Sequence, residues 1–178
     1  MLRIRRFVRG VDEPVWVEVL DADYKEYESW WRGINVEEMR EREKRPSFDF
    51  EGRFFAELDE KPVGLVYACA DTLSEEKKGL IHDFCVIPEF RGHGVEEKLA
   101  EIAINELEKH GMNVIQAWTG CKRSDRMQLL EELDFKRAYK TFDMEIDLSN
   151  VPSNIGENTQ VTIRSLRKNV EEDIKTLN

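Results

Sequence analysis

The chain has little of what a metalloprotein, a disulfide scaffold or a membrane protein requires. Its 178 residues hold three cysteines, Cys69, Cys85 and Cys121, and three histidines, His82, His93 and His110. The cysteines are odd in number, widely spaced, and form no metal-ligand pair, so neither a disulfide framework nor a metal site is expected. Reduced thiols in a cytoplasmic setting are the expectation. No apolar run approaches the ~20 residues that cross a bilayer. The stretch Met1–Val8 is basic but lacks a long apolar core and a small-residue cleavage site, so no signal peptide is read. Positive charge is outnumbered. Against 37 Asp and Glu stand 27 Lys and Arg, a net charge of −10. That argues against nucleic acid and anionic membrane as partners, since both need basic surface. Solubility accounts for such acidity, and a cationic substrate is compatible with it.

The length suits one domain with an appendage. Leu2–Val8 alternates with arginine and reads as a strand. Val11–Tyr27 carries Val15, Val19 and Ala22 at helical spacing. Val36–Lys44 is almost entirely charged and reads as a short solvated helix ended by Pro46. Between these helices lie Tyr24, Tyr27, Trp30 and Trp31. Arg53–Leu58 and Val63–Ala70 flank a turn and read as a β-hairpin. Lys78–Ile87 and Asn113–Thr119 read as strands around a helix over Val95–His110, whose stripe is Val95, Leu99, Ile102, Ala103 and Leu107. A short helix over Asp125–Leu133 precedes two closing strands, Lys136–Tyr139 and Phe142–Ile146. The order β-α-α-β-β-β-α-β-α-β-β indicates a mixed sheet with helices on both faces.

The segment Leu80–Gly111 carries the chemistry. An apolar strand stops at Pro88, a loop holds Arg91-Gly92-His93-Gly94, and an amphipathic helix follows. The first N–H groups of a helix lack internal partners and its dipole favours negative charge there. Glycines let a ligand approach the backbone. Strand, loop and helix together suit a pyrophosphate.

These residues, from Asp83 through Val95, together with the element order, resemble the GCN5-related N-acetyltransferases (GNAT). The stretch Ile81–Val86 looks most like the diamine and spermidine/spermine branch. The resemblance implies a mostly antiparallel mixed sheet over residues 1–148, with a splayed central strand pair. It implies acetyl-CoA as cofactor, with pantetheine lying in the splay. It also implies transfer of an acetyl group to an amine, either a small cationic molecule or a peptide amine. On this likeness Phe84, Cys85 and Val86 contact pantetheine and the thioester. Arg91, Gly92, His93, Gly94, Val95 and Glu96 form the phosphate loop. Asp83 anchors or deprotonates the amine, and strand alternation sets it with Ile81 and Cys85, opposite Phe84 and Val86. Three positions depart from the family pattern. Glu96 stands where glycine or alanine is usual, Leu130 where a tyrosine acid is usual, and Asp134 where glycine is usual. These departures keep a second reading open, a degenerate fold that serves as a CoA-binding or structural module.

Among other candidates, Arg123 reads as a solvated loop cation within reach of a CoA phosphate. His82 reads as structural, and Cys85 lacks an activating cation. Residues 149–160 read as a linker. Ile4–Val15 aligns without gaps on Ile163–Ile174, so 161–178 is expected to be the start of a second GNAT-like repeat. That second domain, or a homo-oligomer, is the expected protein partner.

Overall fold

The computed structural model describes residues 1–44, 51–71, 75–142, 144, 146, 147 and 149. Its contacts divide the chain into two units, Met1–Arg137 and Ala138–Asn178.

The first unit is built on a five-stranded sheet ordered β1-β2-β3-β4-β5. The strands are β1 Leu2–Arg6, β2 Arg53–Leu58, β3 Lys61–Asp71, β4 Lys78–Val86 and β5 Val114–Ala117. The first four pair antiparallel in succession, and β5 joins β4 in parallel. The β2–β3 hairpin turns at Asp59 and Glu60, both at positive φ (49° and 67°), as a two-residue turn between right-twisted strands requires. Neighbouring strand residues alternate between two cores. Phe54, Val66, Ile81 and Val86 pack under the long helix α3, Val95–Lys109. Phe55, Leu65 and Cys85 pack with Trp16, Val19 and Leu20 of α1, Glu13–Tyr27. A sheet buried on both faces gives the near-continuous apolar strands of the sequence.

Two glycines set how closely α3 lies on the sheet. A Cβ on Gly64 would stand 2.9 Å from Leu99 and 3.1 Å from Val95, and one on Gly79 would stand 2.8 Å from Leu107. The α3 stripe keeps Val95, Leu99, Ala103 and Leu107 as expected, adds Ala100 and Glu106, and leaves Ile102 half-buried. In α1 the stripe is rotated from the expected one and runs Trp16, Val19, Leu20 and Asp23, positions i, i+3, i+4 and i+7. Its last member is a carboxylate.

Helix α2, Val36–Glu43, starts at a capping box in which Asn35 Oδ1 accepts from the Glu38 N–H (2.8 Å) and Glu38 accepts from the Asn35 N–H (3.2 Å). It is not solvated throughout, as its charge suggests. Met39 is buried, and Glu43 is buried against Arg53 at 2.7 Å. Phe7 and Trp16 lie 4.7 Å from the same guanidinium, so the charge is screened by aromatic faces as well as by its carboxylate.

Helix α4, Ser124–Glu132, ends in a Schellman motif. Phe135 N–H donates to the Leu130 carbonyl at 2.9 Å and Asp134 N–H to that of Glu131 at 3.1 Å. Beyond it, residues 136–142 form no strand, and Phe142, Met144 and Ile146 are exposed. Alternating apolar residues make a strand only where a partner edge is supplied, and 143 and 145 fall outside the described residues. The linker, apart from Ser149, and the segment 161–178 also fall outside them.

The Schellman motif needs a left-handed residue, and Asp134 takes that role at φ 65°. Asp134→Gly should raise stability by about 0.5–1 kcal/mol, because glycine holds this conformation without a Cβ penalty. Urea denaturation of the two proteins measures the difference.

Candidate functional site

The site begins where two strands part. β4 pairs with β5 only over Lys78–Ile81, the last pair being Ile81 with Ala117, whereas it stays on β3 as far as Val86. A bulge marks the parting. Leu65 faces Cys85 and Tyr67 faces His82, so Asp83 and Phe84 together stand opposite Val66. Asp83 takes up the extra length at φ 42°, in the left-handed region. The bulge changes the expected alternation. Ile81 lies in the same core as Phe84 and Val86, while His82 and Asp83 both line a cavity on the α1–α2 side. Asp83 therefore does not share a face with Ile81.

Past the bulge, the outer backbone groups of β4 have no strand to pair with among the described residues. The chain covers them itself. Val86 N–H donates to Asp23 Oδ1 at 3.3 Å, and Arg91 Nε donates to the Val86 carbonyl at 3.1 Å. Asp23, fully buried at the end of the α1 stripe, also accepts from Arg91 at 3.0 Å and from Arg123, and Arg126 lies 3.6 Å away. Arg123 is 3% exposed, so it is not the solvated loop cation expected. It lies 4.4 Å over the Tyr27 ring, and Arg126 lies 4.9 Å over Phe84. Arg91 is held further by Glu26 and by the Tyr27 hydroxyl at 3.0 Å. One carboxylate thus gathers three arginines and a strand amide at the mouth of the split. Burying so much charge is tolerable only because each ion has a partner.

The loop after β4 is built as its sequence suggests. A single 3-10 turn over Pro88–Phe90 leads to Arg91, and Gly92 (φ 70°) and Gly94 (φ 81°) are both left-handed. A Cβ at either glycine would meet nothing within 4 Å, so the loop's outer side is open to an approaching group. Gly94 caps α3 with no side-chain hydrogen bond, and Val95 is buried beneath. His93 is exposed, with Nδ1 2.8 Å from the Arg91 carbonyl oxygen. Glu96 turns back and accepts from the Gly92 N–H at 3.3 Å. Burial pushes its carboxyl above the usual glutamate range.

The cavity on the other side of the bulge has a volume of about 320 Å³. Trp16, Leu20 and Met39 form its apolar wall, and Arg42, His82 and Asp83 bring charge and polarity. Burial raises the Asp83 carboxyl above its ordinary range, with the charges of His82, Arg53 and Arg42 acting the other way. Burial also pushes the Cys85 thiol well up and keeps it protonated, which removes it as a nucleophile. Tyr24 lies within electrostatic reach of Asp83, Cys85, Arg123 and Arg126, and burial lifts its phenol above the ordinary tyrosine range. Its ring packs on Trp31 at 4.6 Å.

The profile of the Acetyltransferase (GNAT) family matches residues 16–135. The chain belongs to the GNAT acetyltransferase family. This GNAT chain is 28% identical over 142 residues to mycothiol acetyltransferase of Thermobispora bispora, a match covering 76% of this chain and 47% of that protein. It is 33% identical over 111 residues to an uncharacterized N-acetyltransferase of Archaeoglobus fulgidus, covering 57% and 76% respectively. The chain spans about half the length of the mycothiol acetyltransferases it matches. In fold it is similar to a transcriptional regulator from Bacillus halodurans (TM-score 0.64, 23% identity, 82% of this chain and 100% of that one). It is likewise similar to an aminoglycoside N-acetyltransferase solved in complex with CoA (TM-score 0.61, 14% identity, 82% and 95%).

The GNAT family uses acetyl-CoA, and the residues present fit that group. Gly92 and Gly94 leave the outer side of the loop at the α3 N-terminus open to such a group. Of the residues expected to serve it, Arg91, Gly92, His93, Gly94 and Val95 form one continuous loop. Phe84 lies beside it under Arg126, and the Val86 backbone groups are taken by Asp23 and Arg91. Cys85 is buried in the α1-side core opposite Leu65. Two residues of the site escape the sequence reading. Asp23 had a signal, a carboxylate in register with the apolar stripe of α1. Arg126 had none.

Glu96 is the position that fits least, because it sets a carboxylate on a loop amide. Glu96→Gln should tighten acetyl-CoA binding about two- to tenfold by removing like charge from the helix start. Calorimetric titration reads the change. Equal or weaker affinity would show that this carboxylate does not oppose the phosphates.

Proposed function

We propose that this chain is an N-acetyltransferase domain that moves the acetyl group of acetyl-CoA to a primary amine held in the cavity beside Asp83. One observation carries the reading. His82 and Asp83 follow directly on the last β4–β5 pair and line the cavity, and the glycine loop follows at the end of the same strand. Acetyl-CoA supplies an activated thioester carbonyl. The loop from Arg91 to Val95 binds its phosphates, through backbone N–H groups at the α3 N-terminus. Asp83 takes a proton from the attacking amine. A carboxyl raised by burial is a stronger base than an ordinary aspartate, as proton abstraction near neutral pH requires. As the C–S bond of the thioester breaks, Tyr24, protonated and within electrostatic reach of the same groups, gives a proton to the departing sulfur, the role of the family's usual tyrosine, whose position holds Leu130. His82 and the apolar wall orient the amine.

A second reading has its own observation. Asp23 and Arg91 already occupy the backbone groups of Val86, and Glu96 occupies the Gly92 amide. A domain so closed serves as a structural module. The two readings separate in a thiol-release assay with acetyl-CoA and a panel of polyamines, aminoglycosides and peptide amines. Release above the rate without acceptor supports transfer. No release, together with no acetyl-CoA binding by calorimetry, supports the module.

Asp83→Asn tests the base and has a second readout. Asparagine tolerates positive φ, so the bulge is kept. Turnover should fall about 10²- to 10⁴-fold. Because burial raises the folded-state pKa, the favourable contribution of the neutral acid is complete below the ordinary aspartate range and is lost as pH rises through the raised value. The variant should therefore melt higher than the wild type at pH 7, with the gap closing toward pH 3. A variant that keeps full turnover would remove Asp83 from the reaction.

A further inference from the structure

We propose that the acceptor is a small primary amine that also carries a carboxylate, bound with its amine at Asp83 and its carboxylate at Arg42. This rests on the acetyl-transfer reading and narrows its acceptor. The charges around the cavity decide it. Arg53 lines the cavity but is matched by Glu43 at 2.7 Å inside the core. Arg42 stands at the edge of the cavity on α2 and is exposed. Among the described residues its guanidinium makes no hydrogen bond or ion pair. Glu38, one turn earlier, is committed to Arg32 at 2.9 Å and to the Asn35 amide at 3.2 Å.

Among the described residues the cavity therefore offers the Asp83 carboxylate and, at its exposed edge, the Arg42 guanidinium, whose charge already acts on Asp83 but which no carboxylate holds by a hydrogen bond. An ammonium ligand with a second positive end would bring that end against Arg42 and Arg53. At such distances like charges repel, and the chain's overall negative charge is screened beyond a Debye length of about 10 Å. A carboxylate end meets the guanidinium instead, in a geometry that allows two parallel hydrogen bonds. The volume of about 320 Å³ holds a small molecule, and Trp16, Leu20 and Met39 favour an apolar stem between its two polar ends.

The test uses the full chain with glycine through 6-aminohexanoate as probes, against monoamines and diamines of the same lengths. Binding is read by calorimetry and acetylation by thiol release. The expected result is preference for one or more amino carboxylates. Arg42→Gln should raise their Kd and KM about 10- to 100-fold with kcat within about twofold, and Arg42→Lys should recover part of the loss. Selectivity over the matched monoamine should fall by the same factor. Arg42 is exposed, so these variants are expected to fold, and a melting curve checks it. Diamines or monoamines accepted as well as amino carboxylates, with Arg42→Gln indifferent, would overturn the acceptor class and leave acetyl transfer intact. Arg42-dependent binding of amino carboxylates without acetylation would support the cavity's ligand class while overturning the acetyl-transfer reading.

Discussion

The buried Asp23 carboxylate is the interaction on which the site's architecture depends. It sits at the last buried turn of α1 and meets, within hydrogen-bond or ion-pair distance, Val86 of β4, Arg91 of the glycine loop, and Arg123 and Arg126 around the start of α4. Arg123, hydrogen-bonded to it, lies 100 positions away along the chain. Without a counter-charge, three arginines gathered beside a bare strand edge would repel one another and draw water into the sheet. With it, and with Glu26 beside Arg91 and Glu28 beside Arg123, the three positive charges meet three negative ones.

The bulge at Asp83 does complementary work. It ends the parallel pairing with β5, and it also turns a carboxylate into the α1–α2 cavity while Phe84 continues the core below α3. The same strand thus carries the cavity-lining residues at its bulge and the open glycine loop beyond its end. Strain at a non-glycine residue with positive φ is maintained because packing on both faces of β4 fixes its register.

Much of this was legible in the sequence, where local rules govern. The glycine loop follows from Gly92 and Gly94, whose left-handed conformations few other residues adopt, and the α3 stripe follows from helical spacing. Asp83 was legible as a candidate from its place at the end of an apolar strand. Its side relative to Cys85, Phe84 and Val86 was legible too, but that Ile81 lies on the opposite face was not, because a bulge shifts alternation by one and leaves no mark in composition. The same limit applies to Arg123 and Glu43. Each looks solvated in a charged stretch, and each is buried by a partner distant in sequence, Asp23 or Arg53. Alternation over 136–146 reads as strands, yet 136–142 form none, since pairing partners and not periodicity complete a sheet. Asp134 shows the reverse. Its departure from glycine reads as a defect, and the helix end it caps is fully formed.

Amide hydrogen exchange at Val86 tests the role of Asp23 most directly. In ligand-free wild-type protein the Val86 amide, at an edge with no strand beside it, should exchange slowly because Asp23 accepts its proton. In Asp23→Ala it should exchange about 100-fold faster or more relative to the Val66 amide in the core, alongside a stability loss of about 3–5 kcal/mol. A Val86 amide that exchanges at the same relative rate in both proteins would contradict the account.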